Sequence, residues 1–260
     1  RMSNPLIRKL ENFTTFSEDD KQALNKATQQ VRHCRAREDI ICEGDCPEVV
    51  NLLMEGYACR YKDMQDGRRQ IIAYFVPGDL CDISVFILRE MDHSIATVSP
   101  ATVALIPRDT MLDLMVHHPR IAQALWWSTL VDEATLRAWI VNVAQRTAYE
   151  RMAHLLCELF FRLRAVGLTN GHSCQLPVTQ AELAETLGLT PVHVNRTLQD
   201  LRRDGLLELR GKVLTIFDLS ALQRAAQFNP NYLHLGHDGE DFHASHSERG
   251  DQGNSMNPPM

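Results

Sequence analysis

The 260-residue chain contains no apolar run long enough to cross a bilayer, and its start shows no cleavable signal pattern. Those absences argue against a membrane helix and an export route, and the expectation is a cytoplasmic protein. Its seven cysteines are odd in number and lack framework spacing, which excludes a disulfide scaffold and fits a reducing compartment. Clustered metal ligands are missing too. No H-x-H pattern occurs on a strand-like run, and the adjacent His117 and His118 would point about 100° apart on a helix. A metal-dependent jelly-roll enzyme, the remote alternative, therefore has no ligand set, and no metal site or catalytic residue is assigned. Nor is there an excess of positive charge, for the formal net charge is −6. Residues 236–260 supply −4 of it, with five acidic residues against one arginine. That stretch is rich in Gly, Ser, His and Asn and reads as a disordered acidic, His-containing tail.

One dense signal stands against these absences: TQAELAETLGLTPVHVNRTLQDLRRDGLLELRGKVLTIF, from Thr179 to Phe217. Thr179 with Glu182 makes a capping box, and Thr190 caps a second helix whose first position is Pro191. Ala184 is small enough to let the two helices approach. Gly188 can take the positive φ of a sharp turn, and Val194 fills the angle between the helices. Leu183, Leu187, Leu198 and Leu201 complete the apolar seam. Gly205 ends the second helix, and two strand-like runs, Leu206 to Leu209 and Val213 to Phe217, flank Arg210-Gly211-Lys212. This pattern reads as a winged helix-turn-helix, whose second helix enters the DNA major groove. Charge alone does not reveal it: from Pro177 to Phe217 five basic residues balance five acidic ones. The signs are segregated, with Glu182 and Glu185 on the first helix and Arg196, Arg202, Arg203, Arg210 and Lys212 on the second helix and wing.

Upstream, 1–30 reads as a helical lead-in. From 31 to 110 short β-type runs alternate with turns such as Glu55-Gly56 and Pro77-Gly78-Asp79, which suggests a roll. No glycine occurs from Arg108 to Val166, so this region reads as helix, with a long dimerisation helix over 111–144 and a break near Val143–Gln145. One heptad stripe runs Ala124, Trp127, Val131, Ala134, Ala138 and Val141; a second runs Thr129, Leu136, Ile140 and Val143. A helix with two apolar faces must bury both, one on the roll and one on a second copy of itself. The DNA-binding unit takes 145–235.

An α+β chain with a β-roll (jelly roll), a long dimer helix and a C-terminal winged helix-turn-helix resembles the Crp/Fnr family of bacterial transcription regulators, over about residues 5–235. The resemblance implies a homodimer on a pseudo-palindromic double-stranded DNA operator, with RNA polymerase as protein partner. It places Arg196 at the arginine that contacts guanine, a contact type worth about 1–3 kcal/mol of discrimination. Val192 stands where many members carry glutamate; it cannot accept from cytosine but can pack on a thymine methyl. His193 and Asn195 lie beside them. Thr179, Gln180, Thr190, Arg202, Arg210 and Lys212 are expected on phosphates, setting register.

The sensing end departs from the family's founding member. Gly78 to Ser94, GDLCDISVFILREMDHS, aligns without a gap to its cyclic AMP cassette. The ribose-binding glycine and glutamate become Asp82 and Ile83, and the phosphate-pairing arginine becomes His93; Ser94 alone is retained. Asp82 would set negative charge beside a phosphate. The helix positions implied to meet the purine are Leu136 and Arg137. The reading is therefore no cofactor and no control by cyclic AMP, with a redox- or haem-sensing regulator of the same fold as the alternative. For an iron–sulfur cluster, Cys34, Cys42, Cys46 and Cys59 have spacing C-x7-C-x3-C-x12-C, which is not that branch's pattern. For haem, His33, His93, His117, His118 and His154 are available as axial ligands and none stands out.

Overall fold

The computed structural model describes residues 4–83, 87–88 and 90–235; segment 236–260, expected as a disordered tail, lies outside them. Helices α1 (Pro5–Leu10) and α2 (Glu18–Ala27) begin where local chemistry starts them. Asn4 accepts from the Leu6 N–H, and Ser17 with Asp20 closes a reciprocal capping box.

The roll is built from β1 (Val31–Cys34), β2 (Asp39–Ile41), β3 (Val49–Glu55), β4 (Ala58–Asp63), β5 (Arg69–Phe75), β6 (Ser94–Thr97) and β7 (Ala101–Pro107). These form two antiparallel sheets, ordered β1-β7-β3 and β2-β6-β4-β5. Val50, Leu52, Phe75, Ile95, Val103 and Ile106 fill the space between them together with Leu6 and Leu10 of α1. Two turn glycines are sterically required. At Gly56 (φ 87°) a Cβ would lie 2.3 Å from the Pro100 carbonyl oxygen, and at Gly78 (φ 99°) 2.6 Å from that of Pro5. Gly78 thus lets α1 seat on the turn that follows β5.

The glycine-free region is helical but broken twice. α3 (Arg108–His117) stops before α4 (Pro119–Gln145, 27 residues), because a proline cannot continue the preceding helix and moves His118 out of helical geometry. The helix expected over 111–144 therefore starts at Pro119. α5 (Ala148–Ala165) follows a link at Arg146–Thr147, where Thr147 and Glu150 form a capping box. The break lies just beyond the expected Val143–Gln145, at a Thr-x-x-Glu signal that was present in the sequence.

After α5 come β8 (Thr169–Asn170), β9 (Ser173–Gln175), α6 (Gln180–Leu187), α7 (Pro191–Arg203), β10 (Leu207–Arg210), β11 (Val213–Ile216) and α8 (Leu219–Ala226), then a 3-10 turn at Pro230–Leu233. The four strands make one sheet, ordered β10-β11-β9-β8. α5 is the spine of this half: from Met152 to Phe161 every residue is buried, against α6, α7, α8 and the outer face of the β2-β6-β4-β5 sheet of the roll. Tyr74 of β5 donates to or accepts from the Thr186 hydroxyl at 2.7 Å, and Gln70 Nε2 donates to the Thr186 carbonyl at 3.1 Å, so α6 rests on the roll's edge strand.

Candidate nucleic-acid interface

α6 and α7 meet through the expected residues. Leu183, Val194 and Leu201 are fully buried, Leu187 and Ala184 nearly so, and Leu198 packs at the margin. Gly188 takes the left-handed conformation (φ 64°) and Thr190 accepts from the His193 N–H at 3.2 Å. Because Val194, Thr197 and Leu201 point inward, the helical period turns Val192, Asn195, Arg196 and Gln199 outward. Val192 is 80 % exposed, and Arg196 is exposed with no ion pair among the described residues.

Asn195 is held from both sides. Its Oδ1 accepts from Gln199 Nε2 at 2.9 Å and its Nδ2 donates to Gln180 Oε1 at 3.4 Å. Gln199 was missed in the sequence, although its place four residues after Asn195 puts it on the same helix face. Thr179 is half-buried, and its hydroxyl is engaged with Glu182 in the capping box. His193 is partly covered. Arg202 pairs with Glu208 of β10 at 3.0 Å.

The wing is tighter than the three-residue tip read from sequence. Arg210 pairs with Val213 in the ladder, leaving a two-residue loop, Gly211 (φ 59°) and Lys212 (φ 65°). Two successive positive φ values are the signature of a type I′ turn, whose twist matches a hairpin. Arg210 and Lys212 are both exposed at this end of the domain.

Asp82 is buried, and its Oδ2 lies 3.2 Å from His93 Nε2, while His93 Nδ1 lies 2.6 Å from Asp92. The hydrogen bond to His93 holds the Asp92 carboxyl below the usual range. Ser94 Oγ accepts from the Glu43 N–H, and Ile83 is half-buried. Arg137 does not join them; it is exposed and paired with Glu133 one turn earlier at 2.7 Å. Leu136 borders a narrow crevice between β5 and α4 that Arg60, Tyr74, Trp139 and Arg162 also line.

Five cysteines are buried and only Cys42 and Cys46 are exposed. Burial pushes the thiols of Cys59 and Cys157 up to about 12 and that of Cys174 up to about 11, away from thiolate reactivity. Burial also raises Cys42, with Asp39 and Asp45 adding to it. Of the histidines, His118 lies 2.9 Å from Asp20, His117 2.9 Å from Asp113 and His33 3.2 Å from Thr102, while His154 is packed among Phe228 and Tyr232. Among the described residues no three His, Cys, Asp or Glu side chains are grouped to hold a metal ion. No helix among them is long and apolar enough to cross a membrane.

Two family descriptions match the chain: a cyclic nucleotide-binding domain over residues 31–118 and a Crp-like helix-turn-helix domain over residues 150–225. The chain is 31 % identical over 194 residues to the transcriptional activator protein FnrL of Cereibacter sphaeroides, covering 71 % of this chain and 76 % of that one. It is 27 % identical over 187 residues to the nitrogen fixation regulation protein FixK of Azorhizobium caulinodans, covering 72 % and 75 %. The solved structure of FixK2 from Bradyrhizobium japonicum superposes with a TM-score of 0.68 at 25 % identity, covering 75 % of this chain and 96 % of that one.

Proposed function

The chain belongs to the Crp/Fnr family of DNA-binding transcription regulators and is not an enzyme, and from that premise we propose that it acts in the cytoplasm as a homodimer on a pseudo-palindromic operator without cyclic AMP. The observation that carries the reading is the division of α7: one face is buried in the domain, and the other presents Val192, Asn195 and Arg196 beside a basic wing tip. Arg196 reads guanine, and Val192 packs on a thymine methyl where a carboxylate would have accepted from cytosine. Gln180, Thr190, His193, Arg202, Arg210 and Lys212 contact the backbone and set register. Thr179, whose N–H and hydroxyl are both taken up by Glu182, acts by fixing the start of α6, whose remaining first-turn N–H groups face the phosphate.

Dimerisation is supported by α4, whose face Trp126, Leu130, Leu136, Ile140 and Val143 is exposed and apolar. Pairing two copies there buries this face and presents two recognition helices about one DNA turn apart. Independence from cyclic AMP is supported by the buried carboxylate of Asp82, which would set negative charge beside a phosphate, with His93 Nε2 3.2 Å from it; no bound cofactor is part of this reading. RNA polymerase is the protein partner this reading proposes.

The test is operator selection from random DNA with purified protein and no additive, followed by footprinting. The expected result is a two-half-site footprint. Arg196→Ala should lose about 10- to 100-fold of base preference at one position of each half-site, a contact of about 1–3 kcal/mol. Unchanged preference in that variant would remove Arg196 from the readout.

A further inference from the structure

Glu158, on α5, has no solvent exposure, yet its carboxylate takes donors from three directions. Trp139 Nε1 of α4 donates to both oxygens at 3.0 and 2.9 Å. The Tyr232 hydroxyl, in the 3-10 turn after α8, donates to Oε2 at 2.7 Å. Arg162 Nη1, one turn along α5, stands 3.4 Å from Oε1. The other end of Arg162 donates to the Tyr74 carbonyl at 2.8 Å and to Asp79 at 2.7 Å, and Asp79 also takes Lys9 of α1 at 2.8 Å. A single polar chain therefore ties the lead-in helix and the roll to α5, α4 and the C-terminal segment.

Trp139 and Glu158 lie on opposite sides of the α4–α5 link. At about 1.5 Å rise per residue, their bonds form a cross-strut roughly 10 Å from the pivot on α4 and roughly 16 Å from it on α5. A strut at that distance fixes an angle far better than the two-residue link can. The angle matters because α4 bears the apolar face and α5 bears α7. A rotation of roughly 10° at a lever arm of about 20 Å moves a recognition helix by about 3.5 Å, close to the ~3.4 Å rise of one base pair.

The third member of the strut comes from outside the helix-turn-helix match, which ends at residue 225. Tyr232 stacks on His154 at an interplanar angle of 7°, Phe228 meets both rings edge-on, and Leu233 is 2 % exposed. The C-terminal segment is thus seated in the angle between α4 and α5, with its one hydroxyl aimed at Glu158.

We propose that the Glu158 hub, with Trp139 and Tyr232 as its struts, is the positioning device that sets the spacing between the two DNA half-sites. The proposal rests on the dimeric reading of α4. None of these residues is on the DNA-facing side of α7, so they act through the placement of that helix.

The experiment uses the full-length chain and operators whose half-sites are one base pair closer, at the selected spacing, or one base pair farther apart. The wild type should prefer its own spacing by at least about 10-fold. Tyr232→Phe removes only the hydroxyl, and Glu158→Gln leaves an amide that cannot accept from all three donors. In both, preference for the selected spacing should fall to within about 3-fold, with dimer mass and half-site base preference unchanged. Should Glu158→Gln fail to fold, Tyr232→Phe with Trp139→Phe gives the same reading. A lowered melting temperature with spacing preference intact overturns the proposal and leaves the hub a purely structural one. A wild type that sediments as a monomer, or protects a single half-site, overturns the dimeric reading and this one with it.

Discussion

Asp79 takes Lys9 on one carboxylate oxygen and both Arg162 and the Val76 N–H on the other, all between 2.7 and 2.8 Å. Burial pushes its carboxyl up, but Lys9 and Arg162 outweigh that and hold it below the usual carboxylate range. Asp79→Asn should therefore cost about 3–5 kcal/mol in urea denaturation, because it takes the paired carboxylate from buried Lys9 and leaves Arg162 with Glu158 alone. His154 behaves in the opposite sense. Burial, then the charge of Arg146, pushes its imidazole down to about 4 from an ordinary value near 6.5. The native chain refuses a proton that the unfolded chain binds, so stability is complete above pH 6.5 and falls as pH drops toward 4. The loss is about 3 kcal/mol over that window. Between pH 7 and pH 4.5 the unfolding free energy from urea denaturation should fall less in His154→Phe than in the wild type, by most of that amount. Neither role was legible in sequence. Asp79 sat in a Pro-Gly-Asp turn signal and His154 in a haem-ligand list, since the partners of both are far away along the chain.

α4 displays both the reach and the limit of pattern reading. Its inward stripe holds for Ala124, Trp127, Val131, Ala134 and Ala138, then fails at Val141, which is exposed, while Trp139 and Asn142 turn inward. A straight helix drifts about 20° per heptad from a strict 3.5 repeat, so by the third heptad the buried face has moved to neighbouring positions. The outward stripe of Leu136, Ile140 and Val143 is exposed as a face needing a partner would be, joined by Trp126 and Leu130. Ile140→Glu, at a position 66 % exposed, should leave the melting temperature of the folded chain nearly unchanged and weaken dimerisation at least about 10-fold, more than 1.4 kcal/mol. Sedimentation across protein concentration measures it, and a dimer of unaltered affinity would place the contact elsewhere. α6, α7 and the wing were legible almost to the residue because each boundary is set by a local cap, a proline or a left-handed glycine. The β8–β9 hairpin was not, its strands being too short for a period to show.

Across the molecule, charge is arranged rather than accumulated. A net −6 coexists with an exposed basic end because Arg196, Arg210 and Lys212 are exposed without an ion pair among the described residues, whereas Lys9, Arg69 and Arg162 are held by carboxylates. Affinity for an operator should fall steeply with salt, since phosphate contacts release counterions. Replacing Arg210 and Lys212 with alanine removes four phosphate contacts per dimer. The slope of log affinity against log salt should become shallower by about 3–4, with base preference unchanged. Titrations at several salt concentrations, compared between the variant and the wild type, decide this. A slope that stays as steep would take the wing off the backbone.

The sequence by itself determined the helix-turn-helix, the wing and the family: caps, prolines and glycines act within a few residues, so a linear chain states them openly. It also states as letters where Gly78 to Ser94 departs from the cyclic AMP cassette it resembles: at Asp82, Ile83 and His93. Tertiary structure alone decided which polar side chains meet. Trp139, Glu158 and Tyr232 span 94 positions, and Lys9, Asp79 and Arg162 span 154. Such contacts follow from the packing of α5 between roll and helix-turn-helix, which brings buried charges far apart along the chain within reach of one another.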